Sequence, residues 1–261
     1  MCGSIPFSIG RLSLLEVLDL GLNHLNGSLS EWIGGLSSLQ KLYLSHNRLD
    51  GNLPDRLGQL TRLVNLDISF DLFTGVVTEA HFTNLVSLNS LEGKENNLTL
   101  RLQVANWIPP FRLQRFSLSS WFLGPQFPLW LQSQKDLTCL DISNTRISSL
   151  MPDSFVRSFH NLYYLNMSRN HIQGTLTLLG VPSVEGRQDT YDTILGLVML
   201  LDLSSNNFSG HIPNEITTLK KLKFFNRSRN QLTGRIPERI GDMKALESFD
   251  LLVNKLSGNF P

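Results

Sequence analysis

Three features are scarce in this sequence of 261 residues: cysteines, long apolar runs and an excess of charge of one sign. Two cysteines are too few for a disulfide-rich scaffold. The longest apolar run, Ile194 to Leu201, has eight residues and includes Gly196, whereas a membrane-spanning helix needs about 20. The 23 Lys and Arg residues nearly balance the 22 Asp and Glu residues, so no electrostatic footprint favours nucleic acid or an acidic membrane. We therefore expect no membrane segment in this chain and no nucleic-acid partner.

Motifs of catalysis and metal binding are also missing. The sequence contains no H-E-x-x-H, no G-x-S-x-G, no P-loop and no G-x-G-x-x-G, and its six histidines fall at unrelated positions. It therefore predicts a protein that is not an enzyme, with no catalytic residues, no cofactor and no metal site.

A repeat of about 24 residues is the main feature that is present. Its clearest copy spans Leu195 to Leu219, where Asn206 follows regularly spaced apolar residues and precedes a Gly-x-Ile-Pro ending. The position of Asn206, called the landmark position below, recurs at intervals of 24 or 25 residues with one exception, at Asn23, Asn47, Asp71, Asn96, Trp121, Thr145, Asn170, Asn206, Asn230 and Asn254. Such a period is typical of leucine-rich repeats, which place one strand in each coil of a solenoid. The sequence predicts an α/β horseshoe of the plant extracellular type, with about ten coils, a parallel concave sheet and little helix.

The landmark asparagine has a structural role in this pattern. Each coil turns sharply after its strand, and a side-chain amide can both donate to and accept from the backbone groups of that turn. Asp71 and Thr145 can do part of this, but Trp121 cannot accept a hydrogen bond. We expect the coil at Trp121 to be locally irregular, with Ser119 or Ser120 supplying the missing bonds.

The spacing of the landmarks also predicts the domain organisation. Asn170 and Asn206 are 36 residues apart, which leaves about twelve residues beyond one coil. We predict a single solenoid over residues 1–261, with a first block of coils at 1–177, an insertion at 178–194 and a last block at 195–261. Because the sequence begins and ends within a coil, we expect a fragment that lacks the polar capping units of such solenoids.

The outward positions of the predicted strands give the candidate binding residues. Most of them are Asp or Ser, the usual residues of this repeat, so a solvated strand face is their simplest interpretation. The departures from that pattern are Tyr43, Lys94, Tyr164 and Phe224. Aromatic residues on a polar sheet are typical of protein-binding surfaces, so we predict that these four contact a protein or peptide ligand on the concave face. Isolated surface rings are the alternative.

Five Asn-x-Ser/Thr sequons indicate passage through the secretory pathway, at Asn26, Asn97, Asn166, Asn207 and Asn226. Chance occurrence is the alternative for any one of them, because the repeat fixes many asparagines and serines. Asn166 and Asn226 fall at outward strand positions, so glycans there would cover part of the concave face.

Several stretches beyond the repeat pattern resemble plant leucine-rich-repeat receptor-like proteins, in the group of the tomato receptors for fungal ethylene-inducing xylanase. They are residues 97–100, 107–111, 123–134 and 141–145. The resemblance implies a defence receptor with a secreted ectodomain on the extracellular side of the plasma membrane. Its ligand would be a microbial elicitor, and the intact parent would have a receptor-kinase co-receptor.

One further stretch, residues 184–193, resembles the closing half of the non-repeat island of these receptors. Glu185 and Leu176 stand where the family carries lysine and tyrosine. This remnant favours a receptor over the main alternative, a secreted inhibitor of a microbial cell-wall-degrading enzyme. A truncated gene product without independent activity is the other alternative.

Overall fold

The computed structural model describes residues 1–103, 107–152, 154–175 and 195–258. They belong to two compact units, Met1–Leu123 and Gly124–Pro261, called unit 1 and unit 2 below. The insertion expected at 178–194 lies outside the described residues, as does the boundary at 177. The predicted division into two blocks of coils around that insertion therefore stays a prediction.

Unit 1 contains two parallel sheets. Strands β2, β4, β6, β8 and β10 form its main sheet, and β1, β3, β5, β7 and β9 form its flank sheet. The strands are β1 (Cys2–Ser4), β2 (Val17–Asp19), β3 (His24–Ser28), β4 (Lys41–Tyr43), β5 (Arg48–Gly51), β6 (Asn65–Asp67), β7 (Leu72–Val77), β8 (Ser90–Glu92), β9 (Asn97–Leu100) and β10 (Arg115–Ser117).

Unit 2 repeats this arrangement. Strands β11, β12, β14, β16 and β18 form its main sheet, and β13, β15, β17 and β19 form its flank sheet. The strands are β11 (Cys139–Asp141), β12 (Tyr164–Asn166), β13 (Gln173–Thr175), β14 (Leu200–Asp202), β15 (Asn207–His211), β16 (Phe224–Asn226), β17 (Gln231–Gly234), β18 (Ser248–Asp250) and β19 (Lys255–Leu256).

Short 3-10 helices return the chain from one strand to the next. Within the described ranges every helix is of this type, and the segments are Phe7–Arg11, Glu31–Gly35, Asp55–Gln59, Glu79–Phe82, Leu129–Ser133, Val156–Ser158, Asn214–Thr218 and Glu238–Asp242. Proline precedes many of them, as at Pro54 and Pro213, because its fixed φ suits a helix start and its missing N–H is not needed there. These short segments confirm the leucine-rich-repeat fold with little helix.

The leucine stack follows from period-2 alternation. The middle residue of each main-sheet strand points inward, and in unit 1 Leu18, Leu42 and Leu66 are paired in register and buried. In unit 2, Leu140 pairs with Leu165 in the same way. The register predicted from the leucine spacing is therefore confirmed, and burial of each such side chain stabilises the fold by roughly 1.5–3 kcal/mol.

The landmark side chains form a ladder between successive coils. Asn47 donates its Nδ2 to Leu20 O at 2.8 Å and to Leu44 O at 2.7 Å, and its Oδ1 accepts from Leu25 N at 3.0 Å. Asn96 repeats the pattern. These bonds satisfy buried backbone groups that would otherwise cost free energy.

Trp121 takes part in this ladder in a way that the sequence analysis did not predict. Its indole Nε1 donates to Gly93 O at 2.6 Å, the carbonyl that Asn96 Nδ2 also reaches. The ring is buried, and β10 stays in register with β8. The indole therefore supplies the donor bond of the ladder in this coil, and the acceptor that we expected from Ser119 or Ser120 stays a prediction.

Two buried polar residues depart from the pattern. Asp71 is 5% exposed; its Oδ1 accepts from Leu49 N at 2.9 Å, but its Oδ2 has no hydrogen-bond partner among the residues that the structure describes. Burial raises the pKa of Asp71 from 3.8 to about 7. Arg227 is fully buried directly after β16, at a position where other coils carry a leucine such as Leu203. None of its guanidinium nitrogens has a partner within the described parts of the chain, and burial lowers its pKa to about 9.

Candidate ligand-binding faces of the main sheets

Each main sheet has an outer face made by the first and third residues of its strands, because the middle residue points inward. Four residues in these outer positions are themselves buried, namely Ser90, Ser117, Cys139 and Asp141. We call these rows the first and third columns. In unit 1 the first column is Val17, Lys41, Asn65, Ser90 and Arg115, and the third is Asp19, Tyr43, Asp67, Glu92 and Ser117. In unit 2 the first column is Cys139, Tyr164, Leu200, Phe224 and Ser248, and the third is Asp141, Asn166, Asp202, Asn226 and Asp250.

In unit 1 the structure places Tyr43 and Lys94 on separate coils. Tyr43 is half-buried on β4 and is paired in register with Asp19 and Asp67. Lys94 follows β8 and is also half-buried; its backbone N–H donates to Ser69 Oγ at 3.2 Å. Strand β6 lies between them, so these two predicted residues belong to one face without adjoining each other.

A stacked pair in unit 1 was missed by the sequence analysis. The rings of His46 and Phe70 lie 4.4 Å apart with an interplanar angle of 11°. Both residues directly precede a landmark and have left-handed backbones, with φ values of 59° and 57°. That conformation is uncommon for residues other than glycine, so a bulky side chain immediately before a landmark is the sequence signal for such a pair.

In unit 2 the structure brings Tyr164 and Phe224 close to each other. Tyr164 pairs in register with Leu200, which pairs with Phe224, so three large side chains occupy adjacent strands of the first column. Tyr163 and Met199 immediately precede two of these strands and are each 39% exposed, and Phe224 is 42% exposed. We call Tyr164, Leu200 and Phe224 the aromatic patch. Large apolar side chains on adjacent strands of a polar sheet face are typical of a binding site.

The third column beside this patch alternates between Asp and Asn. Asp141 Oδ1 accepts from Ser143 N at 3.1 Å and from Ser143 Oγ at 2.7 Å. Asn166 Oδ1 accepts the same two bonds from Ser168, at 3.0 and 2.7 Å. The column is therefore held by the same short turn whether its residue is charged or neutral.

The pKa of Tyr164 reports the electrostatic environment of the patch. It is raised to about 12, first by burial and next by the negative charge of Asp141, with a smaller contribution from Asp202. A negative field opposes loss of the phenol proton, so Tyr164 stays a neutral hydroxyl at physiological pH.

The five sequons fall into two structural groups. Asn26, Asn97 and Asn207 are exposed on flank-sheet strands, and Asn207 also lines an open cavity of about 850 Å³ in unit 2. Asn166 and Asn226 are half-buried in the third column, where each Oδ1 accepts bonds from the serine of its own sequon. Sequence alone does not separate these groups, because both satisfy the same three-residue rule.

The described ranges contain no group of three or more His, Cys, Asp or Glu residues placed to hold a metal ion. Their helices are all too short and too polar to cross a bilayer.

Comparison with known sequences identifies similar proteins. The model of the leucine-rich repeat region family matches residues 2–186, and that of the Leucine Rich Repeat matches residues 198–219. Receptor-like protein EIX2 of Solanum lycopersicum is 43% identical over 139 residues, which cover 53% of this chain and 12% of EIX2. Receptor-like protein 1 of Arabidopsis thaliana is 31% identical over 236 residues, covering 83% of this chain and 19% of that protein. The chain therefore spans less than a fifth of the length of either relative.

Solved structures of plant receptor ectodomains have the same fold. The structure of PEPR1 with AtPEP1 gives a TM-score of 0.66 at 26% identity over all of this chain and 41% of that chain. The Arabidopsis receptor kinase HAESA, solved with the peptide hormone IDA and the co-receptor SERK1, gives 0.61 at 28% identity over all of this chain and 49% of that chain.

Proposed function

This chain belongs to the leucine-rich repeat family and is related to the plant receptor-like proteins of the EIX group, and from that relationship we propose that it is part of the ligand-binding ectodomain of a plant cell-surface receptor. In this proposal the chain recognises a microbial protein or peptide for defence signalling. It binds and does not catalyse, and it works on the extracellular side of the plasma membrane in the intact parent.

The aromatic patch of unit 2 is the observation that carries the proposal. Leucine-rich repeats need apolar residues inside and usually place polar residues outside, so Tyr164, Leu200 and Phe224 on the outer face have no role in the stack. Tyrosine and phenylalanine supply large contact areas at a low cost in side-chain entropy, and buried aromatic anchors dominate protein interfaces. Tyr43 and Lys94 provide a second candidate surface on unit 1.

Related structures support a peptide or protein ligand and a co-receptor. HAESA was solved with both a peptide hormone and SERK1, and this chain aligns with 49% of the HAESA ectodomain. We propose two corresponding partners for the intact parent of this chain. A microbial elicitor takes the place of the peptide hormone, and a receptor kinase takes the place of the co-receptor.

The test is patch-dependent binding by the secreted chain. The immobilised protein is exposed to purified fungal xylanase and to the secreted proteins of a fungal culture, and bound species are quantified by mass spectrometry. Wild type is compared with the double variant Tyr164→Ala, Phe224→Ala, and with Phe7→Ala, which removes an exposed ring outside the patch. Circular dichroism confirms that all three are folded.

We expect at least one secreted protein or peptide to bind wild type and Phe7→Ala equally, and to bind the double variant about 30-fold or more weakly, because a true anchor contributes about 2 kcal/mol. Binding that is equal in all three proteins, or absent from all three, contradicts the proposal. Inhibition of the xylanase by the chain would instead support a secreted inhibitor.

A further inference from the structure

The outer face of unit 2 has an unequal distribution of charge. Its third column carries the half-buried Asp202 and Asp250, the buried Asp141 and no basic residue. The basic residue nearest in sequence to the patch, Lys223, is already paired with Glu247 at 2.8 Å. The apolar first column is therefore bordered on one side by a column of alternating carboxylates and amides that contains no positive charge.

The fold does not require these charges. The turn after each strand needs an oxygen acceptor at the third column, and Asn226 supplies it to Ser228 N at 3.0 Å just as Asp202 supplies it to Ser204 N at 2.9 Å. Because asparagine and aspartate make the same turn, the negative charge is free to act on a ligand.

The carboxylates also act on the patch itself. The charges of Asp141 and Asp202 both oppose ionisation of Tyr164, which places the phenol within the field of both groups. A cationic side chain between them would gain from both carboxylates and from the aromatic face.

We propose that the outer face of the main sheet of unit 2 binds an extended peptide segment that carries Lys or Arg beside an apolar residue. This inference rests on the function proposed above. The apolar side chain lies on Tyr164, Leu200 and Phe224, and the basic side chains reach the third column. Adjacent strands lie about 4.8 Å apart, so carboxylates on every second strand are separated by about 10 Å, the length of about three residues of extended peptide. The ligand should therefore carry basic residues about three positions apart.

The probe is a random 12-residue peptide library displayed on phage, selected against the secreted full chain. Each round is counter-selected on the Tyr164→Ala, Phe224→Ala variant, so that only patch-dependent peptides remain. The enriched peptides are synthesised, and their affinities are measured at low and high salt. They are measured again with the triple variant Asp141→Asn, Asp202→Asn, Asp250→Asn, which preserves the turn acceptors.

We expect enriched peptides to carry net positive charge with a neighbouring apolar residue and to bind less tightly as salt rises. Their affinity should fall about ten-fold or more in the triple Asn variant, because charges on the ligand lose their partners. Asn226→Asp adds a carboxylate to the column and should tighten binding of the same peptides several-fold. This gain of affinity cannot result from unfolding.

The outcomes separate this inference from the proposed function. The inference of a basic ligand would be overturned if the patch-dependent peptides were neutral or acidic, or if their affinity were unchanged in the triple Asn and Asn226→Asp variants. The proposed function as a ligand-binding face would still stand. Peptides that bind equally to the Tyr164→Ala, Phe224→Ala variant, or no enrichment at all, would overturn both.

Discussion

At the scale of single residues, Asp71 shows how an aspartate at a landmark position changes the hydrogen-bond ladder that the asparagines form. Its neighbours Asn47 and Asn96 each donate Nδ2 to backbone carbonyls of their own and the preceding coil. An ionised Asp71 has no proton to donate at the equivalent position, whereas a neutral carboxylic acid has one. The raised pKa of about 7 agrees with a neutral acid in the folded state.

Asp71 should therefore make stability depend on pH. Because the pKa of Asp71 in the folded state, about 7, exceeds its ordinary value of 3.8, the stability contributed by its neutral form is fully present below about pH 4 and is lost as pH rises through 7. The difference corresponds to at most about 4 kcal/mol, from 1.36 kcal/mol for each pH unit. The urea midpoint of wild type should be lower at pH 8 than at pH 5, whereas the midpoint of Asp71→Asn should be nearly the same at both pH values. The exposed control Asp50→Asn should behave like wild type. A wild-type midpoint that is equally flat would contradict the assignment of this pH dependence to Asp71.

Arg227 gives a second prediction for a single residue. Its buried guanidinium lies 5.5 Å from the centre of the Phe208 ring, and with a pKa of about 9 it stays charged at neutral pH. Replacing a buried charge with a well-packed apolar residue typically stabilises a protein by about 1–4 kcal/mol. We expect Arg227→Leu to raise the denaturation midpoint and the exposed Arg229→Leu to leave it unchanged. A lower midpoint for Arg227→Leu would show that the arginine has a partner essential to this coil.

At the scale of elements, Gly93 and Trp121 compensate for each other across neighbouring coils. Gly93 occupies the inward position that Leu44 and Ile68 fill in the preceding coils. A Cβ at Gly93 would lie 2.8 Å from Trp121 Cζ2, so the missing side chain makes room for the indole. This pair lets β8 and β10 keep the common register despite an atypical landmark residue.

A double-mutant cycle tests this compensation. Gly93→Leu should destabilise unit 1 through a clash, and Trp121→Asn should destabilise it by about 3–5 kcal/mol through a cavity. The double variant restores the usual residues at both positions, so its loss should be smaller than the sum by roughly 0.5–3 kcal/mol. Additive losses in urea unfolding would mean that the two residues act independently.

The elements differ in how far the sequence reveals them. The main-sheet register was predictable because leucines such as Leu42 and Leu66 recur at the coil period, and only one alignment buries them all. The full aromatic patch was not predictable, because Met199, Leu200 and Leu201 form a continuous apolar run. Hydrophobicity alone cannot tell which of these residues points outward. The pairing of Gly93 with Trp121 was also hidden, since it depends on packing between coils.

At the scale of the whole molecule, we expect glycosylation and ligand binding to use different surfaces. Asn26, Asn97 and Asn207 are exposed on flank sheets, whereas Asn166 and Asn226 lie in the third column, next to the aromatic patch. A glycan at either of the latter two would compete with a ligand for the same face of unit 2.

We therefore expect glycans mainly at Asn26, Asn97 and Asn207. The half-buried side chains of Asn166 and Asn226 are held by their own sequon serines, Ser168 and Ser228, which are buried. Mass spectrometry of peptides from plant-secreted protein should show high occupancy at the three flank-sheet sites and low occupancy at the other two. Full occupancy of both third-column sites would place the ligand away from the patch.

Site-specific photo-crosslinking tests most directly whether the aromatic patch contacts the ligand. Benzoylphenylalanine replaces Phe224 in one protein and Phe7 in another, and each is irradiated with the secreted proteins of a fungal culture. We expect a discrete crosslinked partner from position 224 that excess unlabelled wild-type chain removes, and none from position 7. A partner captured from position 7 and absent from position 224 would contradict the assignment of this face as the binding surface.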